Sequence, residues 1–212
     1  MITEQTMVAK VRQLLGEASE DSGVSLITDD TLLLDKQIKS LLPEAVLLVQ
    51  MNKTRGVVNV KSTTSCNIVA DHDTGKAVVT LPPDYVRLVS LKLTEWNTAC
   101  TTAHPIGSLA QSMQNRKYMR AGKSSPVCIE GVDELNNQQL TLYPVVGNGS
   151  TAIEHLIYEA RYNAGEGISG GDQALENAVT YQCAALLCSV YEKIEAANTF
   201  QSFAAALCKN NK

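Results

Sequence analysis

Apolar residues near the start of the chain recur at helical spacing. Met7, Val8, Val11, Leu14, Leu15 and Ala18 fall on one face of a 3.6-residue repeat, which predicts an amphipathic helix over Thr3–Asp21, ended by Gly23. Thr28, Asp29 and Asp30 supply an N-cap residue and first-turn acids for a second helix that carries Leu33, Leu34, Ile38, Leu41 and Leu42. Pro43 either kinks this helix or starts a third over Glu44–Met51.

The period changes after Arg55 and Gly56. Short β-branched runs at Cys66–Ala70 and Ala77–Leu81 flank the turn cluster Asp71–Lys76, a hairpin signal that Pro82 and Pro83 terminate. Val89, Leu91 and Leu93 alternate with polar residues, as a half-buried strand does. Ser108–Met119 reads as a short helix with a basic end. Pro126–Ile129, Gln139–Tyr143 and Ala152–Tyr162 read as further strands, separated by Gly122, Gly131 and the cluster Gly147-Asn148-Gly149.

From Asp172 to Lys209 the chain has neither glycine nor proline. Leu175, Val179, Cys183, Leu186, Leu187, Val190, Ile194 and Ala197 form one helical stripe, which Phe200, Phe203 and Leu207 extend. A continuous helix here is roughly 55 Å long at 1.5 Å per residue, so its end must project or bend; a break near Asn198 is the alternative. Contiguous strands between helical ends predict an α+β fold, in which N- and C-terminal helices (1–56 and 171–212) form a bundle. An antiparallel β-rich domain (57–170), with a short helix near 108–119, is inserted between them.

Composition narrows the functions. Apolar residues make up 44% and charged residues 19%, a globular balance. A net charge of −4 argues against tight binding to nucleic-acid phosphates. The six cysteines form no C-x-x-C and the three histidines stand far apart, so neither a zinc site nor a disulfide framework is expected; the thiols read as structural ones in a reducing compartment. The start has no signal-peptide pattern, and no apolar run reaches the roughly 18 residues of a membrane span.

Three stretches invite a chemical reading. Gly165, Gly167 and Gly170 spell G-x-G-x-x-G, but no strand follows the helix to supply the acid that a dinucleotide ribose requires, and Glu166 would put a negative charge inside the phosphate nest. A flexible joint with Asp172 as N-cap is the simpler reading. No nucleophile elbow accompanies His72, His104 or His155, and Asp71-His72-Asp73 matches a solvated turn. No catalytic residue, cofactor site or metal site is therefore expected. The segment Asn115–Arg120 concentrates cations around an aromatic: Arg116, Lys117, Tyr118 and Arg120.

One block resembles a known family. "LPPDYVRLVSLKLTEWN", "QNRKYMRAGKSSPVCIEG" and "LTLYPV" occur in that order. They resemble the head-to-tail adaptor proteins of short-tailed bacteriophages, the ring proteins beneath the portal, including the connector ring of crAss-like gut phages. Leu81, Pro82, Asp84, Tyr85, Arg87, Leu88 and Trp96 match a strand-entry motif. Arg116, Tyr118 and Gly122 match a polar segment, and Pro126, Val127, Tyr143 and Pro144 match the strands that follow. The resemblance implies a non-enzymatic virion protein at the head–tail interface, present in host cytoplasm during assembly. It implies a ring of this chain, a dodecamer in the family, docked to the portal and offering a platform to a downstream tail or ring protein. Packaged DNA would pass through the channel without specific binding, and no membrane is involved. Phe200, Phe203 and Leu207 become candidate portal-docking residues on an extension whose deletion (199–212) is expected to leave a folded protein. Arg87, Arg116, Lys117, Tyr118 and Arg120 become candidate subunit or tail contacts. A head-completion or tail-terminator ring protein is the alternative, and a nucleotide-dependent intracellular enzyme using the Gly165 loop a distant one.

Overall fold

The computed structural model describes residues 2–16, 29–54, 56–116, 118–145, 151–168 and 172–209. The fold is α+β, and the chain divides into two compact units: Met1–Val60 with Arg161–Lys212, and Lys61–Ala160. Its elements, in order, are α1 (Glu4–Leu14), α2 (Asp29–Asn52), β1 (Val60–Thr63), β2 (Ile68–Asp71), β3 (Lys76–Thr80), β4 (Tyr85–Leu93) and β5 (Ala103–Pro105). There follow α3 (Leu109–Gln114), β6 (Val127–Val132), β7 (Gln138–Tyr143), β8 (Ile153–Ala160), α4 (Gln173–Val190) and α5 (Ile194–Lys209).

In the helical unit, Thr3 caps α1 by accepting from the Thr6 amide at 3.2 Å. The helix ends at Leu14, short of the expected Asp21, because Gly16 turns to φ +79°. Ala18, Gly23 and Thr28 lie outside the described residues. The second helix runs through Pro43 as one element of 24 residues, so no third helix starts there. Leu42, Ala45 and Val46 flank the proline and are fully buried, and their packing outweighs the lost backbone hydrogen bond. They share a core with Met7 and Val11 of α1, Ile38 of α2, and Leu175, Val179, Cys183 and Leu187 of α4. Val58, Tyr162 and Ile168 also belong to it, which places the segments around them with the helices rather than with the strands.

The expected long C-terminal helix is two helices. The break falls at Tyr191–Lys193, not near Asn198. Glu192 takes φ +58°; its amide bonds to the Ser189 carbonyl at 3.1 Å, and the Lys193 amide bonds to the Cys188 carbonyl at 2.9 Å. This paired 5→2 and 6→1 arrangement is a Schellman motif. Beyond it the chain folds back: Tyr181 of α4 stacks against Phe200 and Phe203 of α5, with ring centroids 6.3 and 5.6 Å apart.

The inserted unit holds two sheets, ordered β1-β8-β4 and β2-β3-β7-β6-β5. Leu91, Leu93, Leu140, Leu142 and Leu156, all fully buried, join the sheets in one core with Tyr85 and Trp96. Strand β4 pairs antiparallel with β8 through three register shifts. One pair departs from the antiparallel expectation: β5 runs parallel to β6, the segment between them containing α3 and supplying the crossover that parallel neighbours require. Strands β1 and β5, four and three residues long, are too short for a periodic sequence signal.

Candidate assembly surface

The basic segment sits directly after α3 and is anchored on the last residue of that helix. Ser108 caps α3, and the Gly107 amide donates to Gln111 Oε1 at 2.6 Å. Gln114, the last residue of the helix, is buried. Its Nε2 donates to the Ala110 carbonyl (2.9 Å), its Oε1 accepts from the Ala121 amide (2.9 Å), and its own carbonyl accepts Arg120 Nε (3.0 Å). Two turn bonds, Arg116 N to Met113 O and Met119 N to Arg116 O, each 3.0 Å, complete the loop. A buried amide bonded at both ends fixes the loop's shape.

What this loop presents is apolar as well as cationic. Tyr118 is 93% exposed, and Ile106 and Leu109, just upstream, are each 68% exposed. Met119 is also exposed, with Arg116 Nη1 at 4.0 Å from its sulfur. Large exposed aromatic and aliphatic groups among arginines are the composition of protein contact sites. Arg116, Tyr118 and Arg120 are brought together here; Lys117 lies outside the described residues. Ile106, Leu109 and the anchor Gln114 had no signal in the sequence, since neither exposure nor burial of one residue in a six-residue helix follows from periodicity.

Arg87 is placed elsewhere, on β4. Its Nε and Nη2 donate to Glu159 Oε2 at 3.3 and 3.1 Å, and the Glu159 side chain is fully buried. The guanidinium is a counter-charge to a carboxylate buried inside the unit, which is a structural duty.

The α5 residues belong to the helical unit. Phe200 and Leu207 pack against its core, while Phe203 stays 50% exposed beside Tyr181. Ala197, Ala204 and Cys208 are buried, and the Cys208 carbonyl accepts from the Thr54 amide at 3.3 Å. Residues 199–209 thus form a wall of the bundle and not a projecting extension, so removal of 199–212 is expected to cost the fold rather than leave it intact.

The glycine stretch is tied down rather than flexible as far as it is described. The Gly165 amide, at φ +88°, donates to Glu4 Oε2 at 2.5 Å, and Ile168 pairs with Ile2 through two backbone bonds. A carboxylate of the chain itself therefore occupies the amide that a phosphate would need. That amide, ahead of an opposing effect of burial and with help from Lys39 and Tyr162, holds the Glu4 carboxyl below the ordinary glutamate value. Gly170 and Gly171 lie outside the described residues; Asp172 caps α4 by accepting from the Ala174 amide at 3.2 Å. Asp71 accepts from the Asp73 and Thr74 amides and the Thr74 hydroxyl, as a turn residue does. Ser90 Oγ and His155 Nε2 lie 3.0 Å apart across β4 and β8; among the described residues no carboxylate bonds the imidazole to orient it as a base. No group of three or more potential metal ligands occurs among the described residues, and no helix there is long and apolar enough to cross a membrane.

No family model matches the chain, and no curated protein matches it significantly.

Proposed function

We propose that this chain is a virion structural protein, the head-to-tail connector subunit of a short-tailed bacteriophage. In this reading it forms a ring beneath the portal, extends the DNA channel and links the capsid to the tail, without catalysis. One observation carries the proposal. The apolar residues of the block that resembles the adaptor family, Leu81, Tyr85, Leu88 and Trp96, are buried in one core of the inserted unit. Trp96 Nε1 also ties the block's first and last segments by donating to the Pro144 carbonyl at 2.8 Å. The polar members of the same block, Arg116 and Tyr118, stand on the surface. The motif thus separates into a scaffold and a presented loop, as a passive building block requires.

Two further features support it. A closed ring needs two dissimilar faces on each subunit, and a helical unit with a β-rich insertion supplies chemically different ones. A net acidic chain suits a conduit that packaged DNA crosses without adhering. Within the reading, the Tyr118 loop is a subunit or tail contact, and the exposed face of α5 at Phe203 is the portal-docking candidate.

The test is co-expression with the portal protein of the same genome, followed by size-exclusion chromatography and negative-stain imaging. The expected result is a portal bearing an added ring that Tyr118→Ala or Phe203→Ala weakens while each variant remains folded. Assembly with isolated tail or completed heads but never with portal would reassign the chain to a terminator or head-completion ring. Saturable nucleotide binding by calorimetry would overturn the non-enzymatic reading.

A further inference from the structure

The two ends of strand β6 carry opposite charge. The chain between α3 and β6 contains Arg116, Lys117, Arg120 and Lys123 and no acid. From Ser124 to Ala160 there is no lysine or arginine, and the turn that leaves β6 contains Asp133 and Glu134. Among the described residues no ion pair neutralises Arg116, Arg120 or Lys123, and none neutralises Asp133 or Glu134.

Strand register sets the two patches apart. β6 pairs with β7 from Val127 opposite Tyr143 at its start to Val132 opposite Gln138 at its end. Six extended residues hold those points about 17 Å apart. The basic loop is pinned at the first end: the Lys123 carbonyl accepts the Asn97 amide at 2.9 Å, and the adjoining Trp96 bonds to Pro144, which follows Tyr143. The acidic turn is fixed at the other end. Asp133 Oδ1 accepts the Leu135 and Asn137 amides at 2.9 and 2.7 Å, and its Oδ2 accepts Asn137 Nδ2 at 2.9 Å.

Each end also shows apolar surface. Tyr118 and Met119 are exposed on the loop. On the turn Leu135 is 83% exposed, and Val132 and Ile106 are exposed as well. Ile106 lies against Gly131, the residue before Val132: a Cβ built on that glycine would stand 3.7 Å from Ile106 Cδ1.

From this polarity we propose that the basic loop of one copy docks on the acidic β6–β7 turn of the next, so that inserted units join head to tail. The inference assigns the subunit interface of the ring reading above and rests on that reading for closure. One chain carries both halves at opposite ends of one strand, so no copy can satisfy its own. Each copy instead offers one loop and one turn to two neighbours. Such an interface is heterologous, the kind that closes into a ring when the rotation between copies permits. The charges and the apolar groups have separate duties. Exposed ion pairs contribute little affinity, but they reject wrong orientations, since two loops or two turns would set like charges together. Burying Tyr118 against Leu135 and Ile106 supplies the affinity.

The experiment uses the full chain, co-expressed with the portal protein of the same genome and imaged by negative stain. Arg116→Glu and Glu134→Lys, both at exposed positions, should each lower ring occupancy by about tenfold or more. Mixed in equal amounts, the two variants should recover rings, because each copy then meets the opposite charge at both ends. In wild type, a carbodiimide, which joins touching amines and carboxylates, should link Lys117 or Lys123 to Glu134. Mixing isotopically labelled with unlabelled chains should show that the link runs between copies. This mapping needs no variant to fold. Rings that survive both single variants, a mixture that recovers nothing, or links from the loop to Glu192, Glu195 or the portal would overturn the interface and leave the ring standing. Copies that carry the link but never join the portal would uphold the interface and count against the connector reading. A chain that stays monomeric with and without portal would overturn both.

Discussion

Glu192 offers a test whose sign depends on the turn it occupies. The residue is exposed, so truncating it removes no buried contact, and its backbone sits at φ +58°. A left-handed conformation costs a residue bearing a Cβ about 1–2 kcal/mol. Glycine escapes that strain but has more freedom to lose on folding, which offsets roughly 0.5–1 kcal/mol. Glu192→Gly should therefore stabilise the helical unit by about 0.5–1 kcal/mol, or about 1–4 °C in Tm for a chain of this size. The two units carry separate probes. Ellipticity at 222 nm reports chiefly on α1, α2, α4 and α5, while Trp96, the single tryptophan, reports on the inserted unit. Denaturant titrations read by both should show the ellipticity midpoint rising in the variant. If α4 continued straight into α5, the new glycine would lie inside a helix and lower the midpoint by about 1 kcal/mol. A fall in the ellipticity midpoint would thus refute the hairpin.

Three further outcomes follow from contacts in the helical unit. Because the folded Glu4 carboxyl lies below 4.5, its contribution is fully present above that value and is lost as pH falls through the lowered one. Thermal melts between about pH 5 and 3 should show stability declining more steeply in wild type than in Glu4→Gln; parallel curves would reject the Gly165 amide as the cause. Deleting residues 199–212 should expose the bundle core and broaden or abolish the ellipticity transition. Phe203→Ala, at a half-exposed position, should shift stability far less than the 3–5 kcal/mol of a buried phenylalanine, which calorimetry would check.

Periodicity made α1, α2 and the start of α4 legible because each buries one continuous face. It missed the end of α4 because Glu192, and not the usual glycine, takes the left-handed position of the Schellman motif. It left Pro43 as either a kink or a boundary because the proline cost is local, whereas the compensation comes from residues that reach the core from other helices. On β4 the alternation shows only in part: register shifts bury Tyr85, Leu88, Leu91 and Leu93 at uneven spacing. The candidate loop was visible through its arginines and tyrosine. Its anchor was not, since Gln114 matters through bonds to Ala110, Arg120 and Ala121 that no single-residue property announces. Arg87 shows the converse: a conspicuous cation in a motif proves to be the counter-charge of a buried glutamate on a neighbouring strand.

The insertion topology bears on the order of events during folding. Met7 and Ile38 precede an excursion of about a hundred residues, and Leu187 follows it, yet all three meet in one core. Drawing together the ends of so long a loop costs about 4 kcal/mol in chain entropy. Strands β1 and β8, neighbours in one sheet, lead into and out of that excursion, and Asn59 Nδ2 donates to the Arg161 carbonyl at 3.1 Å just outside it. Once the strands zip, the flanking segments leave them a strand's width apart and the entropy is already spent. The β-rich unit is thus a clasp, and the helices on either side can collapse as though they were continuous.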